Sequence, residues 1–171
     1  SMLNIPSTDI ENSVKQAVEL ENAGCQIIRF AIPNEQALDL IEPIKKATTV
    51  PLVADIHFDY KLAIGAAERG IDKIRINPGN IGSEDRVKAV ADICKLKGLP
   101  IRIGVNSGSL EKHILAKYGS PTPEAMVESA LYHASLLEKF DFDDIVISIK
   151  SSNVNTMIKA YEIAAEKCNY P

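Results

Sequence analysis

Residues 73–82 read KIRINPGNIG, an isoleucine-rich stretch that runs into a turn of proline, asparagine and glycine. Successive side chains of a β-strand point to opposite faces, so Ile74 and Ile76 share one face while Arg75 and Asn77 share the other. A strand with one aliphatic and one charged face, ending in a glycine-rich turn, is typical of a βα unit. The rest of the chain repeats this design.

Five strands of this kind are predicted, each rich in isoleucine or valine and separated by segments with helical spacing of apolar residues. They are residues 26–33, 50–58, 73–78, 100–106 and 144–151. The expected helix caps are Asp9 or Ser7, Asn34, Asp59, Ser83, Thr122 and Asn153. Pro43 predicts a kink or a late helix start, and residues 108–119 predict an extra short helix.

Two architectures fit this alternation of strands and helices, a doubly wound sheet and a (β/α)8 barrel of the TIM type. The charged strand faces favour the barrel, because polar residues converge inside a barrel mouth. A complete barrel normally needs about 250 residues, whereas this chain has 171. We therefore predict an α/β fold over residues 1–171, a partial TIM-type barrel of about five parallel strands with helices outside.

Composition narrows the classes of function. The net charge is -4 and no apolar stretch approaches the length of a membrane span, so neither nucleic acid nor a membrane is expected as a partner. Cys25, Cys94 and Cys168 are far apart and no pair has CxxC spacing. This odd, scattered set predicts a cytoplasmic protein with ordinary buried thiols. A metal or iron–sulfur site built from this chain alone is not expected.

The charged strand faces define the candidate site. They carry four cations, Arg29, Arg75, Arg102 and Lys150, against one carboxylate, Asp55, which leaves +3 in a chain whose net charge is -4. Such an excess inside a barrel mouth is costly without a counter-charge. Because guanidinium groups bind phosphate oxygens bidentately, the expected ligand is a small molecule with two or more phosphate charges.

The turns after two strands support the same ligand class. Residues 78–82 and 106–109 are rich in small side chains and are expected to bring backbone N–H groups close to an anion. Asp55 and His57 share a strand face, so they could serve as acid and base, hold substrate hydroxyls, or form half of a metal site. A structural hydrogen bond between His57 and Arg75 is the alternative. His113 and His133 are expected in helices, as surface or hydrogen-bonded residues.

Five motifs resemble, in this order, the barrel domain of the 4-hydroxy-3-methylbut-2-enyl diphosphate synthase family: ADIHF, KIRINPGNIG, IRIGVNSGSLE, KYGSPTPEAMVESA and SIKSS. The resemblance implies an oxidoreductase of the non-mevalonate isoprenoid pathway that reductively opens 2-C-methyl-D-erythritol 2,4-cyclodiphosphate. It also implies a flavodoxin or ferredoxin donor and a 4Fe–4S cluster held by a separate C-terminal domain. The substrate-binding residues that it implies are Arg29, Asp55, His57, Arg75, Asn77, Arg102, Asn106 and Lys150.

This chain departs from the family pattern at both ends. The first barrel strand, the strands after Pro171 and the C-terminal iron–sulfur domain are absent, and residues 1–4 resemble the segment just after the first strand. We expect a fragment that binds the diphosphate, ligates no cluster, does not catalyse the reaction alone and forms a homodimer through open sheet edges. A dihydropteroate-synthase-like pterin barrel, which leaves most arginines unused, and a non-catalytic binding fragment remain alternatives.

Overall fold

The computed structural model describes residues 1–171 and contains one parallel sheet of five strands. The strands are β1 (Ile28–Ala31), β2 (Leu52–Asp55), β3 (Lys73–Ile76), β4 (Ile101–Asn106) and β5 (Ile145–Lys150). They pair in the order β1-β2-β3-β4-β5, and every neighbouring pair is parallel. A strictly sequential order is that of a TIM barrel, whereas a doubly wound sheet reverses its order part way. The partial-barrel prediction is confirmed.

Eight α-helices follow or precede these strands. They are α1 (Ile10–Asn22), α2 (Ile41–Ala47), α3 (Tyr60–Glu68), α4 (Pro78–Ile81), α5 (Glu84–Lys97), α6 (Lys112–Tyr118), α7 (Pro123–Glu138) and α8 (Val154–Lys167). Two 3-10 helices, Glu35–Leu40 and Ser107–Ser109, follow β1 and β4. None of the helices combines the length and the apolar character needed to cross a membrane.

The predicted helix starts agree well with the structure. Side-chain oxygens accept a backbone hydrogen bond at Asp9, Asn34, Asp59, Thr122 and Asn153. Asp9 rather than Ser7 caps α1, and Ser83 precedes α5 without a side-chain capping bond. Pro43 lies in the first turn of α2, after the 3-10 helix Glu35–Leu40, so the predicted late start is right. The extra short helix is α6.

One face of the sheet is aliphatic and buried, as the alternation predicted. Burial alternates residue by residue along β1, β3 and β5, and Ile74 and Ile76 are both fully buried. These side chains belong to one hydrophobic cluster of 42 buried residues. The predicted strand 50–58 places Phe58 on this face, opposite Asp55 and His57, but in the structure Phe58 is 70% exposed. The reason is that β2 ends at Asp55, so Phe58 lies in the turn that leads into α3.

The N-terminal residues take a strand position beside β1. The N–H of Leu3 donates to the carbonyl of Arg29 at 2.8 Å, and the N–H of Arg29 donates to the carbonyl of Ser1 at 2.9 Å. Met2 pairs with Arg29 in a parallel bridge. The expectation that residues 1–4 lie just after the first barrel strand is therefore corrected, because residues 1–3 pair with β1 as a strand does.

The opposite edge, along β5, is partly satisfied as well. The N–H of Ile147 donates to the carbonyl of Pro171 at 2.7 Å. The N–H of Ile149 donates to the hydroxyl of Tyr161, on α8, at 2.9 Å. Unpaired strand edges favour self-association, and these two bonds remove two of the free donors that the dimer prediction relied on.

Candidate anion-binding site

Strand register brings three charged residues side by side on the face opposite the helices. We call this the inner face; its polar members are Arg29, Asp55, Arg75, Arg102, Ser148 and Lys150. Asp55 pairs in register with Arg75, and Arg75 pairs with Arg102. Neighbouring strands lie about 4.8 Å apart. Three consecutive strands therefore place one carboxylate and two guanidinium groups at the same level of the sheet.

Asp55 organises two of the three arginines. Its side chain is only 5% exposed, and Oδ1 accepts a hydrogen bond from Nη1 of Arg75 at 2.9 Å. Its Oδ2 lies 3.7 Å from Nε of Arg29. The Nη2 of Arg29 also donates a hydrogen bond to the sulfur of Met2, at 3.1 Å. A buried carboxylate requires such partners. In this arrangement both oxygens of the Asp55 carboxylate face arginine side chains.

The Arg75 side chain lies over the neighbouring strand, β4, at Gly104, where that strand has no side chain. Its Nη2 lies 3.5 Å from the carbonyl oxygen of Gly104. A Cβ atom at position 104 would lie 2.6 Å from Cζ of Arg75, which is closer than Cβ atoms come to non-bonded atoms in real structures. Gly104 is thus required for the position of the Arg75 guanidinium, a requirement that the sequence analysis missed.

Arg102 has no acidic partner. Its Nη2 donates to the hydroxyl of Ser148 at 2.7 Å, and its Nε is buried without a hydrogen-bond partner. Burial lowers the pKa of Arg102 most, and the positive charge of Arg29 lowers it further; Tyr161 opposes this, Arg75 adds a smaller lowering, and Asp55 opposes it least. Three guanidinium groups facing one carboxylate carry a formal charge of +2, which a bound anion would offset.

Asn77 and Asn106 lie at the strand ends and hold the turns that follow. Asn77 is 7% exposed, and its Oδ1 accepts from the N–H of Gly79 at 3.1 Å. Oδ1 of Asn106 accepts from the N–H of Gly108 at 3.3 Å. Two of the amides expected to face an anion are therefore already bonded within their own turns. The first turn is also a one-turn helix, α4, rather than the open loop that was expected.

His57 and Lys150 lie at the rim of the site and are both exposed. Lys150 pairs in register with Asn106, so the fourth cation of the face lies beside that amide. The His57 ring lies 6.1 Å from that of Phe58, and no hydrogen bond joins it to Arg75. The structure thus clusters Arg29, Asp55, Arg75 and Arg102, and places the other four predicted residues at the strand ends.

Ser148 is the second member of the candidate site, after Gly104, that sequence reasoning did not select. Strand alternation had already placed it on the same face as Lys150, two residues away. It pairs in register with Gly104, and its hydroxyl accepts the hydrogen bond from Nη2 of Arg102. The signal was therefore present, but serine carries no charge and was outweighed by the arginines.

The three cysteines do not form a site for an iron–sulfur cluster. All are free; Cys94 is buried, whereas Cys25 and Cys168 are half-buried, which corrects the expectation that all three are buried. Burial raises the pKa of Cys94 to about 12, which disfavours the thiolate that iron requires. No group of three or more His, Cys, Asp or Glu side chains is placed to hold a metal ion. The residues present do not fit the cluster.

A sequential parallel sheet with charged side chains converging near its strand ends defines a TIM-barrel protein with a basic cluster at that end of the sheet. The family model described as GcpE TIM-barrel domain matches residues 1–171, and the chain belongs to this family. It is 58% identical over all of its length to the 4-hydroxy-3-methylbut-2-en-1-yl diphosphate synthase (flavodoxin) of Lysinibacillus sphaericus. It is also 58% identical over its length to the Clostridium perfringens enzyme of that name.

The chain spans about half the length of the curated relatives it matches, 46% of the first and 49% of the second. Among solved structures it resembles a Yersinia pestis dihydropteroate synthase, with a TM-score of 0.66 and 13% identity over 98% of this chain and 63% of that chain. It also resembles a Thermotoga maritima DAHP synthase, with a TM-score of 0.62 and 17% identity over 92% of this chain and 44% of that chain. These likenesses show the fold alone, so they add no support to the pterin alternative.

Proposed function

We propose that this chain is the substrate-binding part of a 4-hydroxy-3-methylbut-2-en-1-yl diphosphate synthase. Its inner face would bind the phosphate groups of 2-C-methyl-D-erythritol 2,4-cyclodiphosphate. The observation that carries this proposal is the unbalanced arginine cluster, in which Arg29, Arg75 and Arg102 face the single carboxylate of Asp55. The names of relatives 58% identical to the chain support the choice of substrate.

The arginines differ in how far they are already committed. Arg75 is fixed by Asp55 and by the carbonyl of Gly104, whereas Arg102 has only the neutral hydroxyl of Ser148 as a partner. A phosphate oxygen near Arg102 would supply the acceptor that its buried Nε lacks. Charge-assisted hydrogen bonds from a guanidinium to phosphate are the strong ones, and partial burial strengthens them. Arg102 is therefore the proposed main phosphate ligand.

The rim residues complete the proposed site. Lys150 stands beside Asn106 in register and offers a mobile positive charge for a second phosphate. Asn77 and His57 are proposed to contact substrate hydroxyls. These three assignments rest on the family resemblance and on the place of the residues at the carboxyl ends of the strands, where barrel enzymes bind their substrates.

The whole enzyme would act as an oxidoreductase of isoprenoid biosynthesis. The word flavodoxin in the relatives' names supports a flavodoxin donor for them, and we extend this to the present chain, with ferredoxin as the other candidate. The 4Fe–4S cluster would be held outside these 171 residues, so the chain is proposed to bind substrate without turning it over. Cytoplasmic localisation and a homodimeric state remain predictions.

Calorimetric titration with the cyclic diphosphate at low salt tests the proposal. We expect saturable binding that Arg102→Ala weakens by about 1.5–3 kcal/mol, the value of a charged hydrogen bond, which is roughly tenfold or more. Arg69→Ala is the matched control, because Arg69 pairs with Asp39 outside the inner face, at 3.6 Å. A folded chain that does not bind, or equal losses in both variants, would refute the proposed site.

A further inference from the structure

A pair formed by a buried imidazole and a partly buried carboxylate lies behind the strand ends and is not used by the proposed site. His133, on α7, is fully buried, and its Nε2 lies 2.5 Å from Oε1 of Glu111. Glu111 comes just after the 3-10 helix Ser107–Ser109 that follows β4, and its Oε2 accepts from the hydroxyl of Ser129 at 2.8 Å. Two side chains of α7 therefore hold the segment that leaves β4.

The other edge of the same imidazole packs against the turn after β3. A Cβ atom on Gly79 would lie 2.5 Å from Cε1 of His133 and 3.4 Å from its Nδ1. Only glycine lets the ring come this close to the backbone. Nδ1 is buried and has no hydrogen-bond partner. The contact with this turn is therefore close packing, whereas the contact with the segment after β4 is polar.

These two turns carry the two asparagines at the strand ends. Asn77 holds the N–H of Gly79, and Asn106 holds the N–H of Gly108, each by a hydrogen bond within its own turn. Such local bonds do not fix one turn relative to the other. α7 spans 16 residues and packs against both β4 and β5, so it provides a rigid support for a side chain that contacts both turns.

We propose that His133 is a positioning residue that ties the turn after β3 to the segment after β4 and so sets the spacing between Asn77 and Asn106. The role that this spacing has in anion binding rests on the proposed function. The tie itself rests only on the contacts of His133 with Glu111 and Gly79. The two parts can therefore fail separately.

Amide hydrogen exchange tests the tie without any ligand. His133→Ala is expected to speed exchange at least about tenfold at the amides of both Gly79 and Gly108, relative to amides of α3, which lies away from the ring. A residue that only adds to global stability would not loosen these two amides selectively. Faster exchange at one turn alone, or a uniform change over the chain, overturns the proposal.

Conservative and matched variants separate positioning from loss of fold. His133→Gln keeps a donor for Glu111 and is expected to restore the protection of Gly108 to within about twofold to threefold of wild type. His113→Ala removes an exposed histidine on α6 and should change neither amide. If His133→Ala does not fold, Gly79→Ala displaces the ring without removing it, and it is expected to loosen both turns. Protection unchanged in Gly79→Ala refutes the tie.

Titration with inorganic pyrophosphate tests the functional part. His133→Ala should weaken binding at least about fivefold, His133→Gln should recover most of the loss, and His113→Ala should bind as wild type does. Wild-type chain that does not bind pyrophosphate contradicts the proposed function, while exchange still decides the tie. The third outcome is that the wild-type chain binds pyrophosphate and that His133→Ala loosens both turns but binds equally well. This outcome refutes the positioning role in binding and leaves the proposed function standing.

Discussion

Gly104→Ala is the sharpest perturbation of the inner face, because one added methyl group enters the space of a guanidinium. The new Cβ would lie 2.6 Å from Cζ of Arg75. Gly104 has no positive φ, so alanine fits the backbone of β4 and the effect comes from this contact alone. Arg75 must then move away from its place over the strand.

The expected cost follows from the contacts that Arg75 gives up. It loses a 2.9 Å charged hydrogen bond to Asp55, whose side chain is only 5% exposed. Removing one partner of a buried pair costs about 3–5 kcal/mol when the other charge is left alone. Here Arg29 remains 3.7 Å from the carboxylate. We therefore expect a smaller loss, about 2 kcal/mol, which is the value of one charged hydrogen bond.

Urea unfolding followed by circular dichroism measures this loss directly. In thermal unfolding of a chain of this length, the same loss of about 2 kcal/mol corresponds to a fall in Tm of about 4–8 °C. Gly108→Ala is the control on the same strand end, since a Cβ there would meet only Oδ1 of Asn106, at 3.9 Å. The control should unfold within about 0.5 kcal/mol of the wild-type chain.

A double-mutant cycle with Arg75→Ala identifies the cause of the loss. In the Arg75→Ala background the guanidinium is gone, so Gly104→Ala should cost little, and the coupling free energy should reach about 1–2 kcal/mol. An equal cost of Gly104→Ala in both backgrounds would show that the methyl group harms something other than Arg75. Wild-type stability of Gly104→Ala would refute the reasoning altogether.

Three further predictions concern the rest of the molecule. Burial alone would raise the pKa of Glu111, but hydrogen bonds from His133, its own N–H and Ser129 lower the pKa from 4.5 to about 2. The ionised Glu111 therefore stabilises the fold above pH 4.5, and this stabilisation, about 2 kcal/mol after screening, is lost as the pH falls toward 2. In Glu111→Gln the free energy of unfolding should lack this part of the acid dependence. If it depends on pH as steeply as in the wild-type chain, the prediction is contradicted. Tyr161→Phe should cost about 1 kcal/mol in urea unfolding, because the N–H of Ile149 loses its acceptor; no loss would mean that water replaces the hydroxyl. Light scattering should give at least twice the 18.6 kDa monomer mass, and a clean monomer would contradict the dimer prediction.

Strand alternation in the sequence is sufficient to locate the inner face. A shift of one residue would move every side chain to the other face, so alternation is strongly constrained wherever one face is buried. This is why the sequence pattern places Arg29, Asp55, Arg75 and Arg102 correctly. The prediction for Phe58 is wrong because alternation does not show where a strand ends. β2 ends at Asp55, and the chain turns before it reaches Phe58.

Contacts between distant positions could not be predicted in the same way. Arg75 and Gly104 are 29 residues apart and meet only because of the register between β3 and β4. Glu111 and His133 are 22 residues apart, and no sequence pattern around either residue predicts that the two are in contact. Their meeting depends on how α7 packs against β4. Sequence periodicity reports the face on which a residue lies, whereas pairing across elements depends on packing.

The way in which the arginines share one carboxylate explains how several positive charges can lie together in the folded chain. Like charges at one level of a sheet repel each other, and Asp55 offsets this by pairing with Arg75 and Arg29. Arg102 is left with the neutral Ser148, so the unbalanced charge is concentrated on one side chain. Because its neighbours are already held in place, an anion that binds Arg102 need order few further groups, and preorganisation of this kind favours affinity.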